Sequence, residues 1–112
     1  MASFNQIQAI GRLTRDPEVK TTMTGVSVAN FSVAINTRYK ENEETVFLDI
    51  TCWRRLAEIC KEYLKKGSQV FIAGRVKQDR WETDGVKRSK VYVLAENIQF
   101  LDSKKQTEEV PF

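Results

Sequence analysis

Histidine is absent from the 112 residues. That removes the commonest general base and every histidine-based catalytic triad. Cysteine occurs twice, at Cys52 and Cys60, with no C-x-x-C pair, so no zinc site is expected. Both cysteines fall at apolar positions, one of a strand and one of a helix. They are expected to be reduced core thiols, as suits a cytoplasmic protein. No run of about eighteen apolar residues occurs, which excludes a membrane-spanning helix. The opening MASFNQ has no basic region followed by an apolar stretch, so no secretory signal is expected. There is neither a P-loop nor a GxGxxG. The carboxylates sit with no histidine, serine elbow or metal-like cluster. The chain is therefore not expected to be an enzyme, nor to hold a metal or cofactor. Internal repeats and low-complexity segments are absent too.

What is present fits one domain, long enough to bury a single core. Net charge is +3. Residues 102–112 hold Asp102, Glu108 and Glu109 against Lys104 and Lys105, a net of −1, so the body carries +4. That is a mild bias towards an anionic partner.

The chain is organised around residues 46–76, which read as strand, helix, strand. In the first strand Val46, Leu48, Ile50 and Cys52 share one face. Phe47, Asp49, Thr51 and Trp53 share the other, because successive side chains leave opposite faces. A solvated face is normally polar. Two large aromatics on it fit a binding platform, or else a second hydrophobic layer or subunit contact. A helix follows over residues 54–66. Leu56, Ile59, Cys60, Tyr63 and Leu64 make its buried stripe, Lys65 and Lys66 its last turn and Gly67 its left-handed cap. In the next strand, 69–78, Val70, Ile72, Gly74 and Val76 face in, while Phe71, Ala73, Arg75 and Lys77 face out. The same parity continues to Asp79 and Trp81.

Three more strands complete the chain. Residues 4–13 alternate, with Ile7, Ala9 and Leu13 on one face. Gly11 marks a bulge or a close backbone approach. Asp16-Pro17 makes a turn, and residues 21–25 continue the loop or form an edge hairpin. Residues 26–38 form a long strand, with Phe31, Val33 and Ile35 alternating against Ser32, Ala34 and Asn36. Residues 39–45 are charged, lack apolar periodicity and read as a mobile loop rooted at Tyr39. Asp84-Gly85 is a favoured two-residue hairpin turn, and the chain returns through residues 90–101 with a change of face near Glu96-Asn97. The count is five strands, with the only helix between the third and fourth. This predicts an all-β, five-stranded closed barrel in the order of the oligonucleotide-binding (OB) fold.

The outward residues are Arg12, Tyr39, Phe47, Trp53, Phe71, Arg75, Lys77, Arg80, Trp81, Lys87 and Arg88. Aromatics interleaved with cations suit single-stranded nucleic acid. Each base offers a π-face worth about 1–3 kcal/mol in stacking, without sequence being read. Lys and Arg neutralise phosphates. Duplex DNA hides its base faces. The competing reading is a sheet face covered by another subunit, its charges merely solvated.

Over almost its whole length the sequence resembles the bacterial single-stranded DNA-binding protein family. The resemblance is carried by IGRLTRDPEVK, VANFSVAIN, WRRLAEICKEYLKKGSQVFIAGRV, the tryptophan of DRWETDG and the final EEVPF. It implies an OB barrel over residues 1–101, assembled as a homotetramer that binds single-stranded DNA. It also implies work in DNA replication, recombination and repair in the bacterial cytoplasm, at the nucleoid. Trp81 matches a stacking tryptophan of the family. Tyr39 and Phe47 fall where the best-known members carry stacking tryptophans, and Trp53 where they carry a stacking phenylalanine. Arg12, Arg75, Lys77, Arg80, Lys87 and Arg88 are the expected phosphate contacts. Asp49 departs from the pattern, lying where such members carry an arginine. A carboxylate there opposes phosphate, and could instead position a neighbouring cation. Residues 102–112 resemble the family's acidic tip, with Glu108 and Glu109 steering and Val110, Pro111 and Phe112 anchoring on replication and repair proteins. About six residues separate barrel and tip, a short tether that restricts reach. The other reading is an OB-fold replication-restart accessory of the primosomal type, acting mainly through proteins; that family lacks the EEVPF tip.

Overall fold

The computed structural model describes residues 2–101. Six strands and one helix run in the order β1 (Ile7–Leu13), β2 (Glu18–Thr21), β3 (Ser27–Tyr39), β4 (Asn42–Trp53), α1 (Arg55–Tyr63), β5 (Gln69–Thr83) and β6 (Val86–Phe100). Both β1 and β2 run antiparallel to β3, with Leu13 opposite Val33 and Glu18 opposite Asn30. They are two halves of one barrel strand, parted by a bend at Thr14-Arg15, just before the expected turn at Asp16-Pro17. The expected five-stranded barrel is therefore what the chain forms, with the helix between its third and fourth strands. The β2 half is the element that the sequence leaves ambiguous, since its four residues have only Val19 to pack inward.

Closure comes from pairing at both edges. β1 lies along β5, from Ile7 opposite Gly74 to Arg12 opposite Gln69. β4 meets β6 in a short parallel pairing at Ile50–Val93 and Thr51–Leu94. The inward faces then enclose Leu13, Phe31, Val33, Ile50, Cys52, Val70, Ile72 and Val93, all buried. These are the residues that period-two alternation turns inward. Gly11 marks a close approach: a Cβ there would lie 2.7 Å from the Ala34 carbonyl oxygen. The change of face in β6 is a bulge. Ala73 pairs with Asn97 but Gly74 with Ala95, leaving Glu96 as the extra residue.

Two departures from the sequence reading have clear causes. Residues 39–45 are no loop. β3 and β4 stay paired out to Tyr39–Asn42, around a two-residue turn in which Lys40 has φ 58°. Apolar periodicity fails there because no core lies beneath, not because the strands end. Polar pairs across the strands replace it. Arg38 sits opposite Glu43 with 3.4 Å between charges, and Thr45 donates to Asn36 Oδ1 at 2.7 Å.

The helix is also shorter than its apolar stripe. Leu64 is already extended, at φ −100° and ψ 146°, which swings its side chain into the core. Gly67 is left-handed, with φ 90°, but as part of a separate turn rather than as the helix cap. In that turn the Ser68 N–H donates to the Lys65 carbonyl and the Lys65 N–H to the Ser68 hydroxyl. The Gly67 N–H donates to the Leu13 carbonyl and the Lys66 N–H to Asp16 Oδ1, which tie the turn to the end of β1. Lys61, not Lys65 or Lys66, is the basic residue of the last helical turn. Ala57 and Cys60 bury the helix face, and Cys60 Sγ lies 3.4 Å from Cys52 Sγ of β4. Both thiols are free, as expected.

Candidate nucleic-acid interface

The long strands overrun the barrel and form two arms, the β3–β4 hairpin and the β5–β6 hairpin. On the arms both faces meet solvent. Even inward-parity residues such as Val46, Val76 and Val91 are exposed there.

Register defines one continuous outer surface. Asn30 lies opposite Thr51, Thr51 opposite Leu94, and Leu94 opposite Arg75. Directly paired residues share a face, so this row crosses β3, β4, β6 and β5 on the outside. Along β4 the same face carries Phe47, 65% exposed, then Asp49 and Thr51, then Trp53, 44% exposed. Six residues of strand place Phe47 and Trp53 about 20 Å apart. A second row runs from Arg12 of β1 through Ala34 to Phe47. It brings the Arg12 backbone within about 10 Å of Phe47, two strand spacings away. The Arg12 guanidinium donates to the Gly67 carbonyl at 2.9 Å, which steadies its position. A concavity of about 300 Å³ opens beside it, lined by Ile10, Gly11, Arg12, Ala34, Asn36 and Gln69.

On the second arm, Arg75, Lys77, Asp79 and Trp81 share the outer face of β5. Arg88, Lys90, Tyr92 and Leu94 share it on β6. Trp81 is 46% exposed and lies directly opposite Arg88. Arg75 pairs with Glu96 at 3.5 Å, so the bulge residue offsets part of its charge. The Tyr92 hydroxyl donates to Asp79 Oδ1 at 3.3 Å. Partial burial, then the Asp79 charge and that hydrogen bond, raise the phenol above its ordinary value.

Some expected site residues are not brought together. Tyr39, 68% exposed, leaves the opposite face of its hairpin from Phe47, because Phe47 pairs with Ala34 and Tyr39 stands an odd number of residues from Ala34. Its ring instead has the Lys40 ammonium 5.4 Å from its centroid. Arg80 and Lys87 likewise leave the face opposite Trp81 and Arg88. They still reach a shared concavity of about 390 Å³ around the arm, lined by Arg80, Trp81, Glu82, Lys87, Arg88 and Ser89. Asp49 positions no cation: among the described residues it forms no ion pair. Glu108, Glu109, Val110, Pro111 and Phe112 lie outside the described residues.

Lys90 belongs to Trp81's face and escapes the sequence reading. Its parity follows once the Asp84-Gly85 turn sets the hairpin register, with Asp79 opposite Lys90. Arg54 and Arg55 follow Trp53 directly and line a hollow of about 270 Å³ with Gly25, Val26, Ser27 and Glu58. Their position after a strand-ending tryptophan was visible, but the turn that exposes them was not.

Comparison with known proteins agrees with this geometry. Residues 4–101 match the model of the single-strand binding protein family. A single-stranded DNA-binding protein of Treponema pallidum is 47% identical over 107 residues, which cover 92% of this chain and 61% of that protein. One of Borreliella burgdorferi is 39% identical over 113 residues, covering 96% and 76%. A solved Plasmodium falciparum SSB complex with ssDNA shares the fold at TM-score 0.83 and 25% identity, over 91% of this chain and 98% of that one. The chain thus spans about three fifths of the Treponema relative's length. With the barrel, the strand order and nearly every described residue matched, the chain belongs to the single-strand binding protein family.

Proposed function

We propose that this chain binds and protects single-stranded DNA with little regard to sequence, in DNA replication, recombination and repair. The observation that carries the reading is the outer surface. Phe47, Trp53 and Trp81 are large aromatics left 44–65% exposed on the same side of the sheet as Arg12, Arg75, Lys77 and Arg88. Rings take the bases and cations take the phosphates. Tyr39, Arg80 and Lys87, on the far faces of the arms, engage a strand that passes around an arm rather than along one face. The resemblance to a family that typically forms homotetramers supports a homotetramer as the working unit. Nothing in this mechanism uses catalysis or a cofactor.

In the same reading, residues 108–112 recruit replication and repair proteins. Two carboxylates steer towards a basic pocket, and Val110, Pro111 and Phe112 supply apolar anchors. Phe47→Ala and Trp81→Ala test the stacking mechanism. Each is expected to weaken oligonucleotide binding by about 1–3 kcal/mol, and unchanged affinity would refute it. Removal of residues 108–112 is expected to abolish capture of helicase or nuclease partners while sparing DNA binding. Intact capture would remove the tail from the account.

A further inference from the structure

We infer that Asp49 makes the β4 stacking lane favour bases that carry an exocyclic amine. The inference rests on the single-stranded DNA reading above and deepens it. Asp49 is exposed on the outer face of β4, two residues from Phe47 and four from Trp53. Those offsets are about 7 Å and 13 Å of strand, so a base stacked on Phe47 sits beside the carboxylate.

The polar neighbours leave Asp49 unengaged. Ser32, directly opposite, donates its hydroxyl to the Leu48 carbonyl at 3.2 Å. The Thr51 hydroxyl donates to Asn30 Oδ1 at 2.7 Å. Both hydroxyl hydrogens therefore point elsewhere. Among the described residues Asp49 accepts no side-chain hydrogen bond and forms no ion pair. An ionised carboxylate can only accept. In a lane that threads phosphates it is unfavourable unless something donates to it. Phosphates cannot donate, but bases can.

The base edges differ in what they offer. Cytosine presents its N4 amine, adenine its N6 amine, and guanine its N1–H together with its N2 amine. Thymine and uracil present one N3–H flanked by two carbonyl oxygens, which meet the carboxylate repulsively. The lane therefore stays tolerant in stacking yet discriminates at one point. A single exposed charge-assisted hydrogen bond is expected to give about threefold to tenfold preference.

Oligo-dC and oligo-dU of equal length separate the effects, because the two bases stack alike and differ at the N4 amine. Affinities are measured for the full chain and for Asp49→Asn and Asp49→Ala, at mildly alkaline pH and fixed salt. The full chain is expected to bind oligo-dC about threefold to tenfold more tightly than oligo-dU, and both variants to bring the two affinities together. Thermal melting confirms that these surface variants are folded. A ratio of one in the full chain, with tight binding to both oligonucleotides, overturns this inference alone. So does an unchanged ratio in variants that bind both strands uniformly more tightly, since Asp49 would then only oppose phosphate. Failure to bind any oligonucleotide overturns the single-stranded DNA reading, and this inference with it.

Discussion

Gly74 is where β5 leaves the barrel and becomes the arm that carries Trp81. Replacing it with alanine tests whether the two parts are joined as described. The added Cβ would overlap the Leu94 carbonyl oxygen and lie 3.0 Å from Ala95 Cα. Both are backbone atoms of β6, so no side chain can rotate away. The strands must part to relieve the overlap. That stretches the ladder beside the Glu96 bulge. Overpacking costs about 1–3 kcal/mol and a lost ladder bond about 1 kcal/mol more. Reduced freedom of the unfolded chain returns about 0.4–1 kcal/mol. The net is about 2 kcal/mol, which lowers Tm by about 8–16 °C in a domain of this size. Gly85→Ala is the comparison. Gly85 has φ 78° but nothing within 4 Å of a new Cβ, so the left-handed backbone penalty of about 1–2 kcal/mol, less the same return from the unfolded chain, leaves a net of about 1 kcal/mol. Calorimetric melting of the two variants decides the matter. If Gly74→Ala melts close to the parent, or above Gly85→Ala, the close approach of β5 to β6 at the bulge is wrong.

Cys52 and Cys60 are fully buried. Their mutual hydrogen bond, then burial, push the Cys52 thiol far above its ordinary value. A maleimide is expected to modify neither thiol in the native protein and both together on unfolding; rapid native labelling of either would contradict the packing of α1 on β4. Tyr92 is raised in the folded chain, so its neutral form is the one that folding favours. Its contribution is complete below the unfolded phenol's value of about 10 and is lost as pH rises through the higher folded value. Stability measured through this alkaline window should therefore fall less steeply in Tyr92→Phe than in the parent, and identical slopes would remove the Asp79–Tyr92 contact from the account.

Much of the barrel was legible because one physical signal ran through it. Alternation in residues 46–53 placed Phe47 and Trp53 outside and Ile50 and Cys52 inside, and the structure has them so. Asp84-Gly85 fixed a hairpin turn, and the change of face near Glu96 fixed the bulge. Legibility ended where the core ended. Beyond Ile35 and Val46 neither strand has anything to bury, so residues 39–45 looked like a loop although their backbone ladder continues. For the same reason face assignment failed on the arms. Charge alone puts Arg80 and Lys87 beside Trp81, whereas parity sends them to the other side. Tyr39 and Phe47 both fall where family members carry stacking tryptophans, yet register sends them to opposite faces. Lys90 was missed because it lies among other charges, with only the hairpin register to single it out.

The central claim is that exposed rings and cations on this barrel take up single-stranded DNA. The most direct test is a titration of the full chain with a long oligo-dT, following tryptophan fluorescence at several salt concentrations and with duplex competitor. Trp53 and Trp81 both lie on the outer face, so stacking is expected to quench emission strongly. Affinity should fall steeply as salt rises, and duplex should not compete. No quenching and no binding would contradict the account and make the aromatic surface a contact between proteins.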